Sequence, residues 1–300
     1  MALLGSGKSL QSVATAAIRA VETYRPADER LYEDRVALDL LPPVWQAFIR
    51  PMRSAIVRRP LLWLRDRQFP GVIGNLVCRT RFIDDVLKEA LTEGVEQVVI
   101  LGAGFDTRAY RIDGMAAVDA FEVDHPDAQA TKRDRLEAVF GAVPSHVTLV
   151  PVDFDLQSLE AALDGAGFDP GQETLFVWEG VTQYITEAAV DSTLRTVAET
   201  TGGGRLVFTY VEERILEGSA RTAVDEAILE MVERQGNPWV TGFDPGQIGP
   251  FLADRGLDVQ VDVGAEDYRR RYLEPIDREM RLFEGEHAVV ATIQQGPSAD

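Results

Sequence analysis

The chain has 300 residues and a mass of 33.1 kDa, with 45% hydrophobic and 26% charged residues. That is the balance of an ordinary globular protein with a sizeable core. Its 49 acidic against 30 basic residues give a formal charge of −19, which disfavours nucleic acid and anionic lipid as partners unless a dense basic patch is present. One cysteine, Cys78, and three scattered histidines exclude an internal disulfide and a zinc–cysteine cluster.

No apolar run approaches the roughly 18–20 residues needed to span a bilayer, and Met1 to Glu22 lacks the sustained apolar stretch of a signal peptide. The expectation is a cytoplasmic protein without a membrane partner. Residues 1–93 read as an N-terminal helical extension punctuated at Arg25-Pro26, Pro42-Pro43, Arg59-Pro60 and Pro70-Gly71. Tyr32 to Leu41 and Val44 to Val57 carry apolar residues at mixed helical spacing. Phe82, Ile83, Val86, Leu87, Ala90 and Leu91 have the spacing of an amphipathic helix.

From residue 95, short β-branched runs alternate with helical patterns, the signature of βαβ units and a parallel sheet. Strands are expected at Gln97–Leu101, Ala117–Val123, Val147–Val152, Thr174–Trp178, Arg205–Tyr210, Leu257–Val263 and Ala288–Ile293. Helices are expected at Pro126–Phe140, Leu156–Asp164, Glu187–Thr200 and Pro245–Arg255. The last two strands are joined without a crossover helix, so the final strand should run antiparallel. Residues 94–295 thus form the core, with a helical cap insertion at about 212–244 whose middle is Ala223 to Glu233.

Gln97–Leu101 runs directly into Gly102-Ala103-Gly104-Phe105-Asp106-Thr107-Arg108. A strand followed by Gly-x-Gly turns sharply and lets a ligand approach backbone amides with no Cβ in the way. The second strand ends Phe121-Glu122-Val123-Asp124-His125-Pro126, placing Asp124 near the roughly 20-residue spacing expected of an acid that holds ribose hydroxyls. Thr107 stands where a dinucleotide fingerprint has its third glycine, and Asp106 would repel a diphosphate. The pattern therefore favours a nucleoside cofactor without a phosphate bridge, such as S-adenosylmethionine. Asp153 and Glu179 end the third and fourth strands, at the edge where open α/β sheets bind ligands. Asp153 is positioned for an adenine amino group with Phe154 stacking on the ring, and Glu179 for the cleft beside a sulfonium. Either acid alone is also compatible with a helix cap or a solvated turn.

The strings Val98 to Arg111, Phe121 to Pro126 and Trp178-Glu179-Gly180-Val181-Thr182-Gln183-Tyr184-Ile185 resemble the leucine carboxyl methyltransferase family, in its bacterial O-methyltransferase branch. Arg79 to Leu87 resembles the family's arginine-bearing helix, and Arg271-Tyr272-Leu273-Glu274-Pro275 a weaker C-terminal signature. The resemblance implies an α/β class I methyltransferase fold: a Rossmann-like, seven-stranded, mostly parallel sheet whose last strand is antiparallel. It implies S-adenosyl-L-methionine as cofactor and S-adenosyl-L-homocysteine as product. By position, Arg79 would meet the cofactor's carboxylate and Gly102, with Ala103, Gly104 and Asp106 beside it, its methionine moiety. Asp124, in the Glu122–Asp124 motif, would hold the ribose, Asp153 and Phe154 the adenine, and Glu179 would close the site. Arg19 is the candidate for a further basic contact from the first helix. Gln183 stands where the common motif has Met or Val, which bears on the substrate.

The reaction expected is methyl transfer to a carboxylate or hydroxyl oxygen of a small-molecule acceptor, aided by Tyr184 as a catalytic hydrogen-bonding group. The alternatives are a carboxyl methyltransferase acting on a protein C-terminus, a nicotinamide-dependent oxidoreductase and a non-catalytic binding protein. His125, just after the ribose acid, reads as a positioning residue. Gly5-Ser6-Gly7-Lys8-Ser9 lacks the first glycine and the strand of a phosphate loop. Arg58 to Arg67, basic but interleaved with Leu and Trp, reads as an amphipathic cap or substrate-entry helix rather than a nucleic-acid surface.

Overall fold

The structure, a computed structural model, describes residues 7–153, 157–200, 203–218 and 220–294. Phe154 and Leu156, the expected start of a helix, lie outside the described residues, as do Gly5 and Ser6; that helix begins at Leu159 behind its Ser158 cap. Five helices come first: α1 (Gly7–Glu22), α2 (Arg35–Leu40), α3 (Pro43–Ile49), α4 (Ala55–Gln68) and α5 (Val72–Glu93). Asp34 caps α2, its Oδ1 accepting from the Ala37 N–H at 2.9 Å. The apolar pattern from Val44 to Val57 is not one helix. Pro51 and Ser54 break it, and Val44, Phe48 and Ile56 face solvent instead of the core.

The sheet follows, with β1 (Gln97–Leu101), α6 (Arg108–Arg111), β2 (Asp119–Asp124), α7 (Pro126–Phe140), β3 (Val147–Pro151), α8 (Leu159–Gly165), β4 (Thr174–Trp178), α9 (Glu187–Thr200) and β5 (Gly204–Val211). The insertion contributes α10 (Glu213–Glu217) and α11 (Ala223–Arg234), the latter closed by a Thr222/Asp225 capping box. Then come α12 (Ile248–Ala253), β6 (Leu257–Val263), α13 (Ala265–Tyr268) and β7 (Glu286–Ile293). β1, β4 and β6 have the limits expected from sequence. β2 starts two residues late because Met115–Ala117 forms a tight 3-10 turn. α12 is shorter than expected: the Asp244 side chain accepts from the Gly246 N–H at 2.9 Å, and that local turn delays the helix.

The seven strands lie in the order β3-β2-β1-β4-β5-β7-β6, and β7 runs antiparallel to both its neighbours. The chain winds one way from β1 to β3 and the other from β4 onward. Sheets of this kind open a crevice at the carboxyl ends of the strands where the winding reverses, here β1 and β4. Every residue of β1 and β4 is buried, as expected of strands covered on both faces. Alternate residues feed two cores. Val98, Ile100, Leu175 and Val177 pack with α1 and α5, whereas Val99, Leu101, Phe176 and Trp178 pack with α8 and α9. The single cysteine, Cys78, sits fully buried on α5, and burial pushes its thiol up to about 12.

Candidate active site

The turn after β1 is built on two glycines. Gly102 (φ +68°) and Gly104 (φ +40°) occupy the left-handed region, and a Cβ on Gly102 would come within 2.5 Å of Val181 Cγ2. A Cβ on Gly104 would collide with the Ser12 hydroxyl of α1. The Gly102 and Ala103 N–H groups both donate to the Val123 carbonyl, at 2.9 and 3.0 Å, which locks the turn to the end of β2. The Gly104 N–H donates to Asp124 Oδ2 at 2.6 Å, and the His125 N–H donates to Asp124 Oδ1 at 2.7 Å. From the other side, the Phe105 N–H donates to Ser12 Oγ at 2.9 Å and Arg19 donates to the Phe105 carbonyl. His125 itself caps α7, accepting from the Asp127 N–H. β3 ends at Pro151, before the expected Val152, and the half-buried Asp153 stands two residues beyond it on the same sheet edge.

A second group joins the middle of α5 to α6 and to the turn after β4. Arg79 Nε donates to Glu179 Oε1 at 2.8 Å, and the same guanidinium pairs with Glu286 at the start of β7. Arg108 bridges Glu179 at 2.7 Å, Asp84 at 2.9 Å and Asp106. Arg111 meets Asp84 at 2.7 Å and Asp34 at 3.4 Å, and Asp34 also takes Arg19 at 3.0 Å. Four arginines thus face five carboxylates, one negative charge in excess among these residues. Burial alone would raise the Glu179 carboxyl, but Arg108 and Arg79 outweigh it and hold it at about 2. Asp106 is likewise held well below the usual range by Arg108 and Arg19 against its burial.

Tyr184 is half-buried in the turn after β4, and burial raises its phenol above the ordinary value, so it stays protonated at neutral pH. Trp239, Glu286, Arg79 and Gln183 are its polar neighbours. The segment after α11 is tied across that turn: the Val240 N–H donates to the Gln183 carbonyl at 2.7 Å and Thr241 Oγ1 to the Ile185 carbonyl at 2.6 Å. Among the described residues, no group of three or more His, Cys, Asp or Glu could hold a metal ion.

Comparison with known proteins decides the family, because the leucine carboxyl methyltransferase family model matches residues 12–198. The chain belongs to the leucine carboxyl methyltransferase family. It is 32% identical over 292 residues to an S-adenosyl-L-methionine-dependent methyltransferase of Frankia alni, covering 96% of each chain. A Rhodococcus jostii protein of the same description is 36% identical over 200 residues, 66% of this chain and 64% of that one. A Thermobifida fusca methyltransferase crystal structure shares the fold, with a TM-score of 0.58 at 14% identity over 79% of this chain and 88% of that one. This leucine carboxyl methyltransferase family member is an S-adenosylmethionine-dependent methyltransferase, which displaces the nicotinamide-dependent and non-catalytic readings.

Of the residues expected at the site, Gly102, Ala103, Gly104 and Asp124 meet in the turn, while Arg79, Asp106 and Glu179 meet in the arginine cluster. The structure does not bring Glu122 to that edge. Its carboxylate is fully buried against Lys132 at 2.7 Å and the Tyr110 hydroxyl at 2.8 Å, where it fastens β2 to α7 and α6. Sequence reasoning missed Ser12, Asp34, Asp84, Arg108, Arg111 and Glu286. One signal was available: Arg79 continues the buried Phe82, Ile83, Val86 and Leu87 face of α5, and a charge on such a face needs partners. Arg108 and Arg111, one turn apart on α6, supply no comparable signal without the fold.

Proposed function

We propose that this methyltransferase alkylates a carboxylate oxygen of a small metabolite, with the glycine turn and the arginine cluster holding the two ends of its cofactor. The observation that carries this reading is the pairing of a Cβ-free turn at the winding reversal with the half-exposed Asp124 carboxylate, 2.6 Å from the Gly104 N–H. Asp124 suits two ribose hydroxyls, since both can donate to one ionised carboxylate. Arg79 would meet the cofactor's carboxylate and Glu179 would close the site over its methionine end, with Gly102, Ala103 and Asp106 lining the way between. Asp153 would take the adenine amino group. The donor set fits such a cofactor. S-adenosylmethionine carries one more positive than negative charge at neutral pH, and the buried cluster has one carboxylate in excess.

When bound, the cofactor supplies a methyl group on a positively charged sulfur. The chain's own contribution is alignment, exclusion of water and control of protons. Alignment of two reactants contributes up to about 7–11 kcal/mol in favourable cases. Glu179, held at about 2 by two arginines, is a poor base, and Tyr184 keeps its proton. A phenolic acceptor with a pKa near 10 would need its proton removed, whereas a carboxylate arrives ionised. Tyr184 can then donate a hydrogen bond that orients the acceptor oxygen. The tie of Val240 and Thr241 over the turn after β4 favours a small acceptor over a protein tail.

The test is incubation with labelled methyl donor and native cell extract, with mass spectrometry for a gain of about 14 daltons and base hydrolysis of the product. A methyl ester releases labelled methanol in base; a base-stable ether would move the acceptor to a hydroxyl. Asp124→Ala should abolish cofactor binding in calorimetry, and unchanged affinity would refute the ribose assignment.

A further inference from the structure

Helix α4 is built the wrong way round for a helix packed on a core. The side chain it buries is Arg58, whose Nη1 donates to the carbonyls of Tyr24 at 3.0 Å and of Met52 and Arg53 at 3.2 Å each. Val57 and Leu62 are half-buried against the core, but most of its apolar residues point outward. Ile56, Pro60, Trp63 and Leu64 fall at i, i+4, i+7 and i+8, the spacing of one helix face, and that face is in solvent. Ile56 is 87% exposed, Trp63 60% and Leu64 58%. Val44 and Phe48 of α3 are exposed as well. A helix packed on a core shows the reverse pattern, and here Ile56, Trp63 and Leu64 share one exposed face.

The charges around the ridge indicate what covers it. Residues 43–68 hold six arginines and one acid, Asp66, in a chain of charge −19, which leaves the remainder at −24. Arg50, Arg53, Arg59, Arg65 and Arg67 are exposed, and Arg67 lies over the Trp63 ring at 5.1 Å. Tryptophan, leucine and isoleucine on one face with arginines at its margins is the composition of a helix that lies in a membrane interface. We propose that the outward face of α4 docks this enzyme on an anionic lipid bilayer.

A second copy of the chain is a poorer occupant. The α4 ridge is one helix wide and about 21 Å long, on the order of 200 Å², against the roughly 800 Å² per partner of a stable protein interface. A bilayer needs no complementary shape. The acidic remainder of the molecule does not forbid the contact, because its repulsion is screened beyond about 8 Å at physiological ionic strength. The arginines at the contact itself are not screened in this way, and they meet lipid phosphate directly.

Co-sedimentation of the full chain with vesicles tests the proposal. Wild type should partition onto phosphatidylcholine–phosphatidylglycerol vesicles and far less onto phosphatidylcholine alone. The Trp63→Ser/Leu64→Ser and Arg59→Gln/Arg67→Gln double variants should each lose roughly ten-fold or more of that partition. All four side chains are exposed, so far-UV circular dichroism should match wild type. Equal sedimentation with both vesicle types, no sedimentation, or no loss in either variant would overturn the assignment. So would a wild-type dimer in sedimentation velocity that Trp63→Ser/Leu64→Ser dissociates, since that gives the face to a second copy.

Discussion

At the β1–β2 edge, a single half-exposed carboxylate, Asp124, accepts from two backbone N–H groups and forms no ion pair among the described residues. At the β4 edge, Glu179 is clasped by Arg79 and Arg108, and behind them Asp84, Asp34 and Arg111 extend the ion pairs toward α2 and α5. The first arrangement can exchange its hydrogen bonds for ligand hydroxyls at little cost. The second is a buried lattice in which removing any one charge strands its partners. In the proposed site the glycine turn is therefore the adaptable end, and the arginine cluster is part of the fold.

Substitutions should separate the two ends by their cost in stability. Arg108→Met, the largest effect, leaves Asp84, Asp106 and Glu179 without their shared cation and should cost about 3–5 kcal/mol in denaturant unfolding. A loss below about 1 kcal/mol would mean the cluster is solvated and does not hold the fold. Next is acid sensitivity. Glu179 falls from an ordinary 4.5 to about 2 in the folded chain, so its stabilisation is complete above 4.5 and disappears as pH falls toward 2. That loss amounts to about 3 kcal/mol. Glu179→Gln should flatten this part of the pH–stability curve. Smallest is the stability effect of Ser12→Ala, which removes one hydrogen bond to the Phe105 N–H and should cost about 1 kcal/mol in unfolding. The same variant should weaken cofactor binding measurably, because Ser12 pins the turn; unchanged affinity would detach α1 from the site.

The parts of the site that sequence discloses are those fixed by short spacing. Gly102, Gly104 and Asp124 are proposed from strand ends and turn chemistry, and the left-handed glycines form the sharp turn expected after β1. β1 and β4 were legible to the residue because strands buried on both faces are continuous runs of apolar residues, and β-branched Val, Ile and Thr contribute to them. Arg19, Arg79, Asp106 and Glu179 are singled out by sequence, but the arginine cluster as a whole was not legible. Its members come from α1, the cap of α2, α5, α6, β7 and the turns after β1 and β4, and no local period encodes their meeting. α4 shows a different limit. Its pattern is amphipathic, but periodicity states only that two faces differ, and here the chain buries Arg58 and exposes Trp63.

The burial of Cys78 has a practical corollary. A thiol pushed up to about 12 and shut inside α5 stays unreactive toward alkylating reagents near neutrality, and the sequence contains no other cysteine. An Ile56→Cys chain would therefore take a fluorophore or spin label at one place without first deleting a native thiol. The immersion depth of the outward ridge could then be read against a background free of stray label.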